Sequence, residues 1–480
     1  MKTAYKLIVI ALVLAGVYGC EKELSAPPKN AKVEGNTILD QATAQIALNG
    51  AYYKFANATN IRTDWQDHQI IPGMMAGYLG YGFGSLDAED NINENNAGDY
   101  WAESYAAINA ANGVIEGVSD LPDNKFSGNR KQEIIAEAKF IRAYSHFKLL
   151  SYYAEWYKIN STQGVLLRDK LSTLPTISKK RSSVEESYDF IVEDLDEAIK
   201  NGPASNPNYY ATKWAAMAMK MRVLMSRGGN GDYAGVINLA NEIIEHGTYT
   251  LESSLQDLFR QKGLESKEII LGLKPQALQT SDPYSKSRQY WPGASALYVA
   301  KKALRDLYEG DPRGSWVVGS VNANVAYSPD TWYFTKYQQE NQPPSVISET
   351  DYAIRLTEVY LLKAEAIVRS GGSLTDARAL VHLIQSKSDI TATSNNKAYL
   401  AVESAATPEQ LLLEIYKEIS KNLVGEDGSE WMALLRLPFA TVQQLKPTIR
   451  SQKQYILPVP RSEFINNPAF GEQNTGYSAN

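Results

Sequence analysis

The chain has 480 residues, 48 basic against 54 acidic side chains, one cysteine and 30 tyrosines. A net charge of −6 excludes the basic face a nucleic-acid binder needs to displace counterions. One cysteine cannot make an internal disulfide, a CxxC redox pair or a thiolate zinc cage, and the 4 histidines show no HExxH spacing. With 44% hydrophobic and 21% charged residues, the composition is that of a folded protein too long for one small core.

Lys2 and Lys6 give a positive start, Leu7 to Val17 an apolar run, and Val17-Tyr18-Gly19-Cys20 closes it. That run is shorter than the roughly 20 residues a membrane span needs, so residues 1–19 read as a secretion signal. Cleavage before Cys20 removes both lysines and takes the net charge from −6 to −8. Val17-Tyr18-Gly19-Cys20 resembles a bacterial lipobox, and that resemblance implies that an acylated Cys20 holds the protein on outer-membrane lipid. Residues 20–35, with Pro27, Pro28 and Gly35, read as a lipidated tether.

Residues 36–480 carry a helical pattern. Asp40 to Phe55, Asp99 to Val118 and Lys131 to Tyr157 repeat apolar residues at spacings of three and four. Ser183-Val-Glu-Glu186 and Thr407-Pro-Glu-Gln410 are capping boxes, the second with Pro408 at the first helical position. Two stretches look like helical hairpins: Lys213–Arg227 with Asp232–His246, and Thr357–Ser370 with Leu374–Gln385 across Gly371-Gly372. Ala240, Ala377 and Ala379 supply the small residues that let such pairs approach. The fold expected is mainly α, a tetratricopeptide-like scaffold of helical pairs with long irregular loop insertions and minor β-structure.

Residues 60–98 and 275–350 lack clear periodicity and are rich in glycine, asparagine, serine and aromatics. Loops this long are functional or disordered, and the aromatic content argues for function. Gly77–Gly84 has no following lysine-serine, so it is no phosphate loop. Asp87 to Asn95 lacks the glycine and the terminal acid of an EF-hand and reads as a solvated loop. His68, His146, His246 and His382 are isolated and no GxSxG elbow occurs. No catalytic residue, metal site or cofactor is expected.

Three motifs carry a family resemblance: Glu137-Ala-Lys-Phe-Ile-Arg-Ala-Tyr144, Tyr352-Ala-Ile-Arg-Leu-Thr-Glu358 running to Glu365-Ala366, and the closing Pro458-Val-Pro460, Asn467-Pro468 and Gln473-Asn474-Thr-Gly476-Tyr477. Asp311-Pro-Arg313 and Lys336-Tyr337 fall between them. Together with Cys20, this order resembles the SusD-like (RagB/SusD) outer-membrane nutrient-binding lipoproteins. One segment departs from the family pattern. Asn422 replaces an acid, and Glu430 stands where an arginine is common. The resemblance implies a cell-surface, lipid-anchored protein that delivers oligosaccharide to a SusC-like TonB-dependent transporter without being an enzyme. Glu137 with Arg142, and Arg355 with Glu358 and Glu365, read as scaffold ion pairs.

Sugars present flat C–H faces and hydroxyls, which calls for exposed aromatic planes beside amides, carboxylates or guanidinium groups. On that chemistry the ligand-binding residues expected are Trp65, Asp67, Tyr78 and Tyr81 in the first stretch, and Tyr284, Arg288, Tyr290 and Trp291 in the second. Trp316 and Trp332 stand in reserve, while Trp156 and Trp214 read as core. The rival readings are the same transport role with peptide cargo, a lipid-anchored glycoside hydrolase with two carboxylates about 5–10 Å apart, and a pure assembly adaptor.

Overall fold

A computed structural model of the protein describes residues 37–95, 100–290, 296–320, 330–337 and 342–478. Cys20, the signal and tether, and Trp291 lie outside them.

The scaffold uses α1 (Gln41–Phe55), α2 (Gln66–Met75), α3 (Tyr100–Ser119), α4 (Arg130–Tyr153), α5 (Val184–Asn201), α6 (Lys213–Arg227) and α7 (Asp232–His246). Two short helices follow, α8 (Lys286–Tyr290) and α9 (Lys302–Leu307), and then α10 (Leu356–Arg369), α11 (Leu374–Ser386), α12 (Pro408–Leu423) and α13 (Ser429–Leu435). Consecutive helices α3 to α7 pack side by side; α7 packs on α10, which also meets α11 and α12. Both expected hairpins are present. Gly228, Gly231 and Gly371 make the turns at φ of 59°, 82° and 75°, a region only glycine enters without cost. Ala240 and Ala377 are buried at the contacts, whereas Ala379 faces solvent. The caps at Asp40, Ser183 and Thr407 form as the sequence indicates.

Helix α4 is enclosed along most of its length, with Glu137, Arg142, His146 and Lys148 all buried. A charge in that position must be paired. Arg142 makes two bonds of 2.7 Å to Asp194, and Glu137 pairs with Arg130 at 2.9 Å rather than with Arg142. His146 donates Nδ1–H to the Arg142 carbonyl and accepts the Arg168 amide at Nε2; burial pushes its pKa down to about 3. The second expected group also re-partners. Arg355 bonds Glu426 and Glu268, Glu358 bonds Arg222, and Glu365 bonds Arg436 and Arg369.

The two stretches read as loops are partly regular. The first contains α2 and β1 (Leu79–Tyr81). Pro72 and Gly73 inside α2 mask its pattern, and Gly73 is needed because a Cβ there would stand 2.6 Å from Leu79 Cδ1. A two-stranded sheet joins β2 (Ile269–Leu273) to β6 (Asp351–Arg355), leading Arg355 into α10. The second stretch supplies β3 (Tyr298–Lys301), β4 (Val318–Gly319) and β5 (Thr331–Phe334). All pairs are antiparallel in the order β1-β3-β5-β4. The sheet therefore joins the two insertions.

Asp87 to Asn95, read as a solvated loop, is only partly so: Asp87, Asp90, Ile92 and Glu94 are exposed, while Ala88, Glu89, Asn91 and Asn93 are buried. Glu89 accepts the Tyr81 and Leu86 amides and pairs with Lys301, while Asn91 and Asn93 donate to the carbonyls of Met75, Gln454 and Ile456. No group of three metal-ligating side chains occurs among the described residues, and none of their helices is long and apolar enough to cross a membrane.

Candidate functional site

In the β1–β3 pairing, Tyr81 stands opposite Tyr298. Both are half-buried, as expected of residues at the edge where a sheet meets solvent. Burial raises the Tyr298 pKa first, and then the Asp67 and Asp64 carboxylates raise it further. Both acids are therefore close enough to influence that ring. Phe83 lies 6.1 Å from Tyr81 and is exposed. On the other side, Arg62 Nη1 donates to the Tyr284 carbonyl at 3.3 Å and Arg62 Nη2 pairs with Asp64 at 3.3 Å. Gln66 donates to Gln289 at 2.9 Å, and Gln289 to the Tyr284 carbonyl at 2.6 Å.

A buried layer fixes this face from below. Glu349 accepts the Lys286 and Ser287 amides at 2.7 and 3.1 Å, satisfying the free donors at the start of α8. Lys286 Nζ pairs with Asp351 at 2.8 Å over the Tyr337 ring. Asp351 also accepts Gln69 Nε2 at 2.6 Å, and Gln69 Oε1 accepts the Tyr290 hydroxyl at 2.7 Å. Such a network holds the upper residues in place. The crevice lined by Arg62, Asp64, Gln66, Tyr284 and Gln289 encloses only about 10 Å³. A ligand would lie on this face and not inside it.

Three of the expected ring faces are corrected. Trp65 is 1% exposed and stacks on His68 with centroids 3.8 Å apart and planes 6° apart, in contact with Phe55 and Tyr144. Tyr78 is buried with its hydroxyl 2.6 Å from that of Tyr416, and Tyr290 is buried on Gln69. Each packs an insertion onto the scaffold. Tyr284, 65% exposed, and Tyr81 stay on the face. Asp67 is half-buried, its carbonyl accepting the Tyr100 hydroxyl. Arg288 is exposed and donates to the Asp282 carbonyl at 3.1 Å. Trp316 leans on Phe259 at 6.0 Å, and Trp332 carries the Arg305 guanidinium at 4.3 Å. Trp156 and Trp214 are core, as read.

Sequence reasoning missed Tyr298, Arg62, Asp64, Gln66 and Gln289. Arg62 and Asp64 border Trp65 in the chain, which could have drawn attention to them. Tyr298 becomes visible only through its pairing with β1.

Residues 203–444 match the SusD family, and residues 21–225 match a family described as starch-binding associating with outer membrane. The chain belongs to the SusD family. Among curated relatives of this SusD-family chain, SusD-like protein P38 of Formosa agariphila is 23% identical over 98% of both chains. A SusD-like protein of Bacteroides ovatus is 23% identical over 60% of this chain and 58% of its own length. Three solved structures share the fold. A SusD superfamily protein from Bacteroides thetaiotaomicron has TM-score 0.72 and 23% identity, with 91% of this chain and 100% of that one covered. B. fragilis NanU has TM-score 0.74 and 18% identity, with 94% and 100% covered. A laminarin-binding SusD-like protein has TM-score 0.69 and 19% identity, with 91% and 100% covered. SusD-family proteins are outer-membrane associated.

Proposed function

We propose that this SusD-family chain is a cell-surface lipoprotein, anchored through acylated Cys20, that binds oligosaccharide and passes it to a SusC-like TonB-dependent transporter. The observation that carries the reading is the open face where Tyr81 and Tyr298 stand opposite each other beside Asp64, Asp67 and Arg62. Aromatic planes meet the C–H faces of a sugar, and the acids, amides and guanidinium meet its hydroxyls. Tyr284 adjoins this face through Arg62. Binding and release make and break no bond, so no catalytic group is required. A crevice of about 10 Å³ is too small to enclose a sugar ring, which suits a polymer lying across it.

Calorimetric titration with a panel of neutral oligosaccharides (laminarihexaose, maltohexaose, cellohexaose) tests the reading. Saturable binding, lost on joint alanine substitution of Tyr81, Tyr284 and Tyr298, is expected. Shortened sugar chains in the recovered mixture would replace the carrier reading with an enzymatic one, and saturable binding of peptides alone would replace the cargo. Isolation of the native lipoprotein together with a large outer-membrane barrel is the expected outcome for the transporter; its isolation alone would remove that partner.

A further inference from the structure

Trp332 lies on the same side of the sheet as Tyr298 but outside the Arg62–Tyr284 crevice. It lines a separate groove of about 440 Å³, within the range of small-molecule sites, about 300–1,000 Å³. The crevice and this groove share no lining residue, and Tyr81 and Tyr298 line neither. Trp332 pairs across the sheet with Ala300, two residues along β3 from Tyr298, and Ala300 is fully buried between them.

One wall of the groove is the Trp332 indole with the Arg305 guanidinium 4.3 Å from its centroid. Arg305 is held as a plane, because Nε and Nη2 both bond Asp306 Oδ1 at 3.0 and 2.7 Å. Nη1 stays uncommitted among the described residues. The rim carries Glu309 and Ser315. The floor is rigid: the Tyr308 hydroxyl donates to the Lys421 carbonyl at 2.6 Å, and Asp311 is ion-paired with Arg313. The charges balance locally, Asp306 with Lys302 and Arg305, and Glu309 with Lys397 at 3.5 Å. An anionic ligand would find no surplus positive charge here. A neutral, hydroxyl-rich ligand would find an indole plane, acceptors at Glu309 and Asp306, and a donor at Arg305.

We propose that the groove between α9 and β5 is a second saccharide subsite, specific for neutral glycans and distinct from the Tyr81–Tyr298 face. This inference rests on the glycan-binding reading of the protein.

Hydrogen exchange in the presence of laminarihexaose, maltohexaose or cellohexaose tests it, using the whole chain, the W332A and R305A variants and the Y81A/Y298A variant. Arg305 is an exposed helix position, so R305A repeats the test without disturbing the sheet. In the wild type, protection is expected both at residues 62–67 and 81 and at residues 305–316 and 331–334. W332A and R305A should weaken only the second signal, by about fivefold or more in apparent affinity, and Y81A/Y298A only the first. Loss of both signals together in Y81A/Y298A, or full protection of the groove in both W332A and R305A, would overturn the second subsite while leaving glycan binding intact. No protection of the wild type by any sugar of the panel would overturn both readings at once.

Discussion

Arg355 donates Nε and Nη2 to the two carboxylate oxygens of Glu426 at 2.8 and 2.9 Å, and both residues are buried. The same guanidinium reaches Glu268, while Lys336 reaches Glu426 at 2.6 Å. Helix α10, the β2–β6 pair and the loop before α13 meet at this one cluster. Beside it, Asp427 takes Lys148, Arg222, the Tyr144 hydroxyl and His68. Two adjacent acids thus fasten α2, α4, α6 and α10 to one loop.

Removing one partner leaves the other charged and buried. E426Q or R355M should therefore each cost about 3–5 kcal/mol, read as a lower urea midpoint. The R355M/E426L pair should recover little of that loss, because Glu268 and Lys336 are then left buried without Arg355 and Glu426. Recovery of the wild-type midpoint in the double variant would show that those two groups find other partners.

Glu430 is fully buried, and its Oε2 has no hydrogen-bond partner among the described residues. Burial pushes its pKa up to about 7, against the weaker pull of the Gly425 amide and Lys336 and with repulsion from Glu426. The Tyr78, Tyr416 and Tyr152 hydroxyls feel the same carboxyl. A folded pKa above the unfolded one means that the folded state binds the extra proton between roughly pH 4.5 and 7. Stability from this group is complete below that window and lost as pH rises through it, by about 3 kcal/mol. E430Q should match the wild type near pH 4.5 and exceed its stability at pH 8. Denaturant melts at both pH values check this; parallel curves would refute the assignment. His68 and His146, with pKa values near 4 and 3, act in the opposite direction below pH 6.5, so the comparison must be between variants.

Trp65 and the tyrosine pair on the face separate packing from binding. W65A should cost about 3–5 kcal/mol, as for other buried aromatics, because it removes the stack on His68. Y81A/Y298A should stay within about 1–2 kcal/mol of the wild type yet weaken sugar binding by about tenfold or more. Thermal melts beside calorimetric titrations give both readouts. A stable W65A with lost binding would return Trp65 to the ligand face.

Gly428 closes the same loop at φ 78°, and a Cβ there would stand 2.7 Å from the Tyr152 hydroxyl and 2.9 Å from Pro72. G428A should therefore lower stability by at least about 1–2 kcal/mol through left-handed strain and overlap. A melt unchanged within error would show that the loop can relax.

The helical pairs, their caps and their glycine turns follow from the chain alone, because those depend on residues three or four apart. The order of family motifs and the placement of Cys20 after an apolar run are read there too. The partners of Arg142 and Arg355 were decided only in three dimensions, since each lies on a different element from the charge it meets, while Glu137 meets Arg130 on its own helix. The aromatics divided for the same reason. Trp65 and Tyr81 both sit in an unpatterned, glycine-rich stretch, and composition gives them equal claims to a ligand. Trp65 falls at the start of α2, where it meets His68 and α4 and leaves water. Tyr81 falls at the end of β1, where pairing with a strand more than 200 residues away brings Tyr298 beside it. Local spacing carries information about neighbours in the chain, and exposure is set by which distant element arrives.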